Sequence, residues 1–163
     1  MEIPAGEFTR WMHLNRGIPP TPFEYPSDRL LPLRGIIEED KLRSPQMLDT
    51  NDERCISVIK NGFNGMTIGC ATGTNSLTRE YLKDGSHRTS MQWAIMQYNY
   101  KSGAFSGPGD SGAIIVDGKG RIGGLLIGGA GDPDSRFDIT YAIPFYWLLQ
   151  RIKAKFPDVC VYY

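Results

Sequence analysis

Short apolar runs separated by turn-forming residues constrain the fold of this chain more than any other feature of its sequence. From residue 29 onward the runs are rich in Ile, Val, Tyr and Thr, as in CISVIK, MTIGCAT, SMQWAIM, GAIIV and DITYAI. Asn61-Gly62, Asp84-Gly85 and Asp117-Gly118 lie between runs, and these dipeptides favour hairpin turns. The pattern predicts an all-β fold with antiparallel strands.

The two ends of the chain differ from this β pattern. Residues 1 to about 28 contain Pro4, Pro19, Pro20, Pro22 and Pro26 and no sustained hydrophobic period. We therefore predict that residues 1–51 form an extended arm or linker. After Pro144, the sequence FYWLLQRIKAKF repeats its apolar side chains every three or four residues and ends in basic ones. This spacing predicts a C-terminal helix.

Charge and cysteine content exclude several function classes. Lys plus Arg and Asp plus Glu number 18 each, so the chain lacks the basic field that holds a nucleic-acid backbone. Its three cysteines form no CxxC pair, so neither a zinc site nor a disulfide framework is predicted. No cofactor is predicted either. The first residues, MEIPAGEFTRW, lack the apolar segment of a signal peptide or membrane anchor. We therefore expect a cytoplasmic or otherwise intracellular protein without membrane contact.

The stretch from Gly103 to Gly131 contains 11 of the 19 glycines, and within it GPGDSGA (residues 107–113) is the most distinctive motif. It fits GxGxxG, but a dinucleotide-binding loop precedes a helix, whereas the following AIIV predicts a strand. It also resembles the Gly-Asp-Ser signature of small esterases. Those enzymes need a histidine near the C-terminus, however, and none follows His87. The nucleophile-elbow motif GxSxG is excluded because Ala113 stands in place of its last glycine.

GDSG at the junction of a loop and a strand resembles the nucleophile segment of the chymotrypsin-like serine peptidases. Upstream, VIKNGFNGMTIGCATG is similar to the hairpin that opens the second barrel of many trypsin-like proteins, and TYAIPFYWLLQRI is similar to the strand and helix that close it. Asn64 and Ala113 depart from the usual threonine and glycine. The resemblance, greatest to fungal trypsin-like proteins, implies that residues 52–163 form a six-stranded antiparallel barrel with a C-terminal helix, the second half of a double barrel.

This resemblance also implies a role for several residues around the motif. Ser111 would be the nucleophile, the amides of Gly109 and Ser111 the oxyanion hole, and Asp110 the inward-turned anchor of the loop. The strand that ends in Ile127, Gly128 and Gly129 would bind a peptide as an added strand.

Phe105 would form the floor of the primary specificity pocket, or it is a core residue. With no acid at that position, no preference for Lys or Arg is predicted. The nearby acids Asp132, Asp134 and Asp138 are predicted to lie in a solvated loop.

The sequence contains no evident base for Ser111. In the family, the histidine and aspartate come from the first barrel, about 140 and 90 residues before the serine. Here the first position falls before residue 1, and the second falls in a proline-rich stretch without an acid. His87, next to a predicted turn, and His13, in the arm, are both expected to be solvated and outside the site. Since a serine without a base is a poor nucleophile, we expect the isolated chain to be inactive.

Two functions remain open from the sequence. The chain is a serine-type endopeptidase half that needs a first-barrel partner, or it is a non-catalytic relative, a pseudoenzyme, that binds a peptide or protein ligand. In both cases the face that would meet a first barrel is expected to be apolar and to favour self-association.

Overall fold

The computed structural model describes residues 31–48, 52–99, 102–131 and 138–162. The described elements are, in chain order, helix α1 (Glu39–Arg43), strands β1 (Met47–Leu48), β2 (Arg54–Gly62), β3 (Gly65–Ala71), β4 (Asn75–Tyr81), β5 (His87–Gln97), β6 (Ile114–Asp117), β7 (Ile122–Ala130) and β8 (Ile139–Pro144), and helix α2 (Phe145–Lys155). The predicted C-terminal helix is confirmed, and Pro144 is its N-cap.

Six of these strands close into an antiparallel barrel, which confirms the predicted fold class. Their order is β2-β3-β5-β8-β7-β6, and β6 returns to β2 through the pairs Val58↔Asp117, Ile59↔Val116 and Lys60↔Ile115. Strand β4 lies outside this ring and pairs only with β5, from Asn75↔Trp93 to Tyr81↔His87. Closure leaves no unpaired edge along most of the ring.

The barrel interior is filled by one apolar cluster with members from all six strands. Alternate residues of a strand point to opposite faces, and on β2 the even-numbered residues point inward. The interior members on the strands are Ile56, Val58, Ala71, Trp93, Ile95, Ile115, Leu126 and Ala142, and Phe105 joins them from a loop. Lys60 shares the inward parity of Val58, which becomes important at the functional site.

A second apolar cluster covers the outer face of β2, β3 and the neighbouring strands. Its members include Cys55, Ile59 and Cys70, and the chain segment before β1 adds Leu31. This segment hydrogen-bonds to the barrel, since Ile37 N donates to Ile122 O at 2.8 Å. The described part of the predicted arm, residues 31–48, therefore packs against the barrel. Residues 1–30 and 49–51 of the arm lie outside the described residues.

Two of the three predicted turns are confirmed and one is wrong. Asp84-Gly85 joins β4 to β5, and Asp117-Gly118 leads from β6 to β7. Asn61-Gly62, in contrast, still belongs to β2, and the turn residues are Phe63 and Asn64. The strand continues because Asn61 and Gly62 both pair with β3, as Asn61↔Met66 and Gly62↔Gly65.

Candidate functional site

Ser111 lies on an exposed turn that leads into β6. Gly109 and Gly112 flank it with φ angles of +95° and +89°, a backbone region that favours glycine. The turn is closed by hydrogen bonds from Asp110 N to Gly107 O at 3.1 Å and from Ala113 N to Asp110 O at 3.0 Å. The glycines therefore allow a tight turn that presents the Ser111 side chain at the surface.

The Ser111 hydroxyl contacts strand β7. Its Oγ donates a hydrogen bond to the carbonyl oxygen of Ile127 at 3.3 Å. Ile127 is the extra residue of a β-bulge, because Leu126 pairs with Ala142 and Gly128 pairs with Tyr141. Bulges re-aim backbone groups and are frequent next to active sites. The bulge thus places one β7 carbonyl beside the Ser111 hydroxyl.

The backbone amides of Gly109 and Ser111 have no acceptor among the described residues, whereas the amide of Asp110 between them is bonded to Gly107. The two amides lie on an exposed turn, so an incoming oxyanion can reach them. Their joint role as an oxyanion hole stays a prediction.

Asp110 turns inward beneath this loop, as expected for a loop anchor. Its carboxylate accepts hydrogen bonds from Lys60 Nζ at 2.6 Å, Asn64 N at 2.9 Å and Gly107 N at 3.0 Å. Burial raises the pKa of this carboxyl, but the hydrogen bonds from the Asn64 amide, the Lys60 ammonium and the Gly107 amide outweigh burial and lower the pKa to about 2. Asp110 is therefore ionised at neutral pH and ties the loop to the β2–β3 hairpin.

Lys60 is the partner that the sequence does not reveal. Its side chain and that of Asp110 expose no surface, and Nζ also donates to the carbonyl of Gly65 at 3.1 Å. A lysine in an apolar run usually extends its ammonium into solvent. The only signal in the sequence is the parity of Lys60, which places it on the inward face of β2 with Val58.

The C-terminal part of β7 has a free edge beside Ser111. On one side, Gly128, Gly129 and Ala130 pair with β8. On the other side, the β6 ladder begins at Ile114↔Leu125, and beyond the Ser111 turn no described strand pairs with β7. Gly129 and Ala130 are exposed, so this edge can accept an extended peptide.

Phe105 and Asp138 have surroundings that differ from those of the other candidates. The Phe105 ring is fully buried and belongs to the barrel interior, so it offers no surface to a substrate. Its backbone amide donates to Asp138 Oδ2 at 3.3 Å. Asp138 is buried, and the prediction that it is solvated is wrong, because the amides of residues 105 and 106 hydrogen-bond to its carboxylate at the start of β8.

No base for Ser111 is present among the described residues. His87 is the first residue of β5, next to the turn of the β4–β5 hairpin, and its ring centroid lies 6.2 Å from that of Tyr81. The only side-chain hydrogen bond of Ser111 within the described part goes to Ile127. His13 lies outside the described residues. Also within that part, no group of three potential ligand side chains could hold a metal ion.

Comparison with known proteins leaves the family open: no protein-family model matches the chain, and no curated protein matches its sequence. Among the described residues, no helix is both long and apolar enough to span a membrane.

Proposed function

We propose that this chain is the nucleophile-bearing half of a chymotrypsin-like serine peptidase site, inactive until a base is supplied. The observation that carries the proposal is an exposed serine on a tight turn, flanked by two amides and by a strand edge that have no partner among the described residues. The buried ion pair between Lys60 and Asp110 holds this turn against the barrel, which supports a fixed position for Ser111.

In this function, an extended peptide adds to the free edge of β7 next to Gly128 and Gly129. The carbonyl carbon of the bond to be cleaved then meets Ser111 Oγ, and its oxygen accepts hydrogen bonds from the amides of Gly109 and Ser111 as negative charge develops. Asp110 and Lys60 hold the loop in place while this charge forms.

The base has to come from outside the described residues. A first-barrel partner or a second copy of the chain that brings an imidazole to Ser111 would complete the site, because the hydroxyl proton needs an acceptor when oxygen attacks carbon.

Imidazole in solution provides the test, because it can replace the missing base. With a fluorophosphonate probe, Ser111 oxygen bonds to phosphorus, fluoride leaves, and the serine proton passes to imidazole. We expect labelling of the full chain to rise with imidazole concentration and to disappear in Ser111→Ala. Ser90→Ala, which removes another exposed hydroxyl, should label like the wild type. Labelling that survives Ser111→Ala would contradict the proposal.

A second function, a non-catalytic module that binds peptides, is favoured by one observation: the described residues give Ser111 no base. The same chain can be titrated with short extended peptides and followed by backbone amide NMR. Peptide binding at Gly128 and Gly129 without imidazole-dependent labelling would select the module, whereas labelling would select the peptidase half. If neither occurs, both functions are wrong.

A further inference from the structure

Two cysteine thiols meet on the outer face of the barrel, away from the Ser111 turn. Cys70 Sγ donates a hydrogen bond to Cys55 Sγ, and the two sulfur atoms lie 3.4 Å apart. Ser57 pairs directly with Cys70 across β2 and β3, and Cys55 precedes Ser57 by two residues. Cys55 is therefore the diagonal neighbour of Cys70 on the same face of the sheet. The pairing of β2 with β3 thus brings together two thiols that the sequence spacing does not connect.

The distance between the two sulfur atoms is short enough for a disulfide to form with little rearrangement. Both residues are thiols in this structure. Because an S–S bond is about 2.05 Å long, sulfurs that lie 3.4 Å apart have to approach by only about 1.4 Å. Rotation about the two Cα–Cβ bonds and a small shift of the strands supply this movement. The native fold is therefore compatible with both the dithiol and the disulfide.

The surroundings of the two thiols suit the oxidised form. Cys55 is 1% exposed and Cys70 is 5% exposed, and both belong to the outer apolar cluster with Ile59 and Ile68. A disulfide has no S–H group, so it packs well among these side chains. Burial also disfavours the thiolate, which is the attacking species in thiol–disulfide exchange, so the exchange is slow while the chain is folded. Burial thus controls the rate of oxidation, whereas the geometry controls the equilibrium.

A bond between these cysteines would enclose the hairpin that anchors the Ser111 loop. Cys55 and Cys70 are 15 positions apart, and the interval contains the turn between β2 and β3. It also contains Lys60, whose ammonium binds the carboxylate of Asp110 and the carbonyl of Gly65. Closing a loop of this length restricts the unfolded chain and so favours the folded one. The disulfide would therefore stabilise the part of the barrel that holds Asp110.

We propose that Cys55 and Cys70 are a redox modification site that forms a reversible disulfide with a small disulfide, such as oxidised glutathione, as the oxidant. The thiolate of Cys70, the more exposed of the two, attacks one glutathione sulfur, and one glutathione thiolate leaves. The Cys55 thiolate then attacks the Cys70 sulfur, and the second glutathione thiolate leaves. The two cysteines lose two electrons and two protons, and the glutathione disulfide becomes two thiols. The site goes beyond the proposed function and does not depend on it.

The test measures the oxidation equilibrium of the folded and the unfolded chain in the Cys160→Ser background, which removes the exposed thiol. The chain, once reduced and once oxidised, is equilibrated in buffers that differ in the ratio of oxidised glutathione to the square of reduced glutathione. Thiols are then alkylated and counted by mass spectrometry. Because the fold favours loop closure, half-oxidation should occur at a ratio about a hundredfold lower after refolding than in urea. An equal or higher ratio for the folded chain would overturn the inference.

Two further measurements identify the bond and its effect. Peptide mapping of the oxidised wild-type chain should join the peptides that contain Cys55 and Cys70, whereas a bond from either of them to Cys160 would contradict the inference. Oxidation of the Cys160→Ser chain should raise its Tm by about 6–12 °C. Cys55→Ser in the same background is the matched control, because it cannot form the bond and should show no such rise. A Tm that stays the same or falls on oxidation, or one that rises equally in the control, would also overturn the inference.

Discussion

Lys60 Nζ lies 2.6 Å from Asp110 Oδ2, and neither side chain exposes any surface. The two residues are 50 positions apart in the sequence, so this ion pair joins the start of the barrel to the loop that presents Ser111. Desolvation of two charges is costly, and the pair persists because backbone donors and acceptors satisfy both groups. The pair thus connects the β2–β3 hairpin directly to the loop of the candidate site.

Removal of one partner should therefore be severe. Lys60→Met leaves the Asp110 carboxylate buried without its cation. We expect the free energy of unfolding to fall by about 3–5 kcal/mol, the loss typical of a broken buried ion pair. Urea denaturation measures this loss. The matched control is Arg43→Gln, which breaks the solvent-exposed Arg43–Glu39 pair and should reduce the free energy of unfolding far less. Similar losses in the two variants would contradict the role given to Lys60.

The same pair predicts an acid-sensitive fold. The pKa of Asp110 is about 2 in the folded chain, below the ordinary value of 3.8, so its contribution is fully present above about pH 4 and is lost as the pH falls toward 2. The contribution should be roughly 2 kcal/mol. Urea denaturation from pH 7 to pH 2, together with an NMR titration of the Asp110 carboxyl carbon, checks it. A carboxyl that titrates near pH 4 would show that the anchor is absent.

Gly109 and Gly112 form a matched pair for testing the turn. Both have positive φ, but a Cβ at Gly109 would lie 2.9 Å from the Phe63 ring, whereas a Cβ at Gly112 meets nothing within 4 Å. Gly112→Ala should cost roughly 1 kcal/mol from backbone strain alone. Gly109→Ala should cost roughly 2–3 kcal/mol, because strain and crowding add.

Phe63→Ala separates these two terms. In the Gly109→Ala background it should recover the crowding part of the loss, since the ring no longer occupies the space that the new Cβ needs. Thermal denaturation of the single and double variants gives the coupling. If the stability losses of the two single variants simply add in the double variant, the Phe63 ring does not crowd the Cβ at position 109.

The fold could be predicted from the sequence because its signals are local. Alternating apolar runs and turn dipeptides specify antiparallel strands, and Pro144 with the apolar spacing after it specifies the final helix. Strand β4 has no such signal, because NSLTREY contains few apolar residues and pairs only with β5. The turn at Phe63 and Asn64 is shifted because the pairing with β3 determines where β2 ends.

The site could be predicted only in part, for a related reason. Ser111, Gly109 and Asp110 belong to one short motif, whereas Lys60 reaches Asp110, and Asp138 reaches the Phe105 amide, only through the closed barrel. From the sequence alone, a lysine in an apolar run and an aspartate in an acidic loop are both expected to point into solvent. Only the pairing of β2 with β6 and of β7 with β8 shows that their charges are enclosed.

The charge of Asp138 should lower the free energy of unfolding of the chain at neutral pH. Burial raises its pKa in the folded state, so the group favours folding most when it is protonated, below its unfolded pKa, and this contribution is lost as the pH rises through the folded pKa. Asp138→Asn keeps an oxygen to accept from the Phe105 amide but never ionises. The variant should therefore match the wild type near pH 3 and become more stable than it at pH 7.

The opposite behaviour is expected of an acid with a permanent partner. Asp117 accepts two hydrogen bonds from the Arg121 guanidinium, at 2.8 and 2.6 Å, so Asp117→Asn should lose stability at pH 7. Urea denaturation of both variants at the two pH values provides the comparison. An Asp138→Asn chain that is less stable than the wild type at pH 7 would contradict the expectation for Asp138.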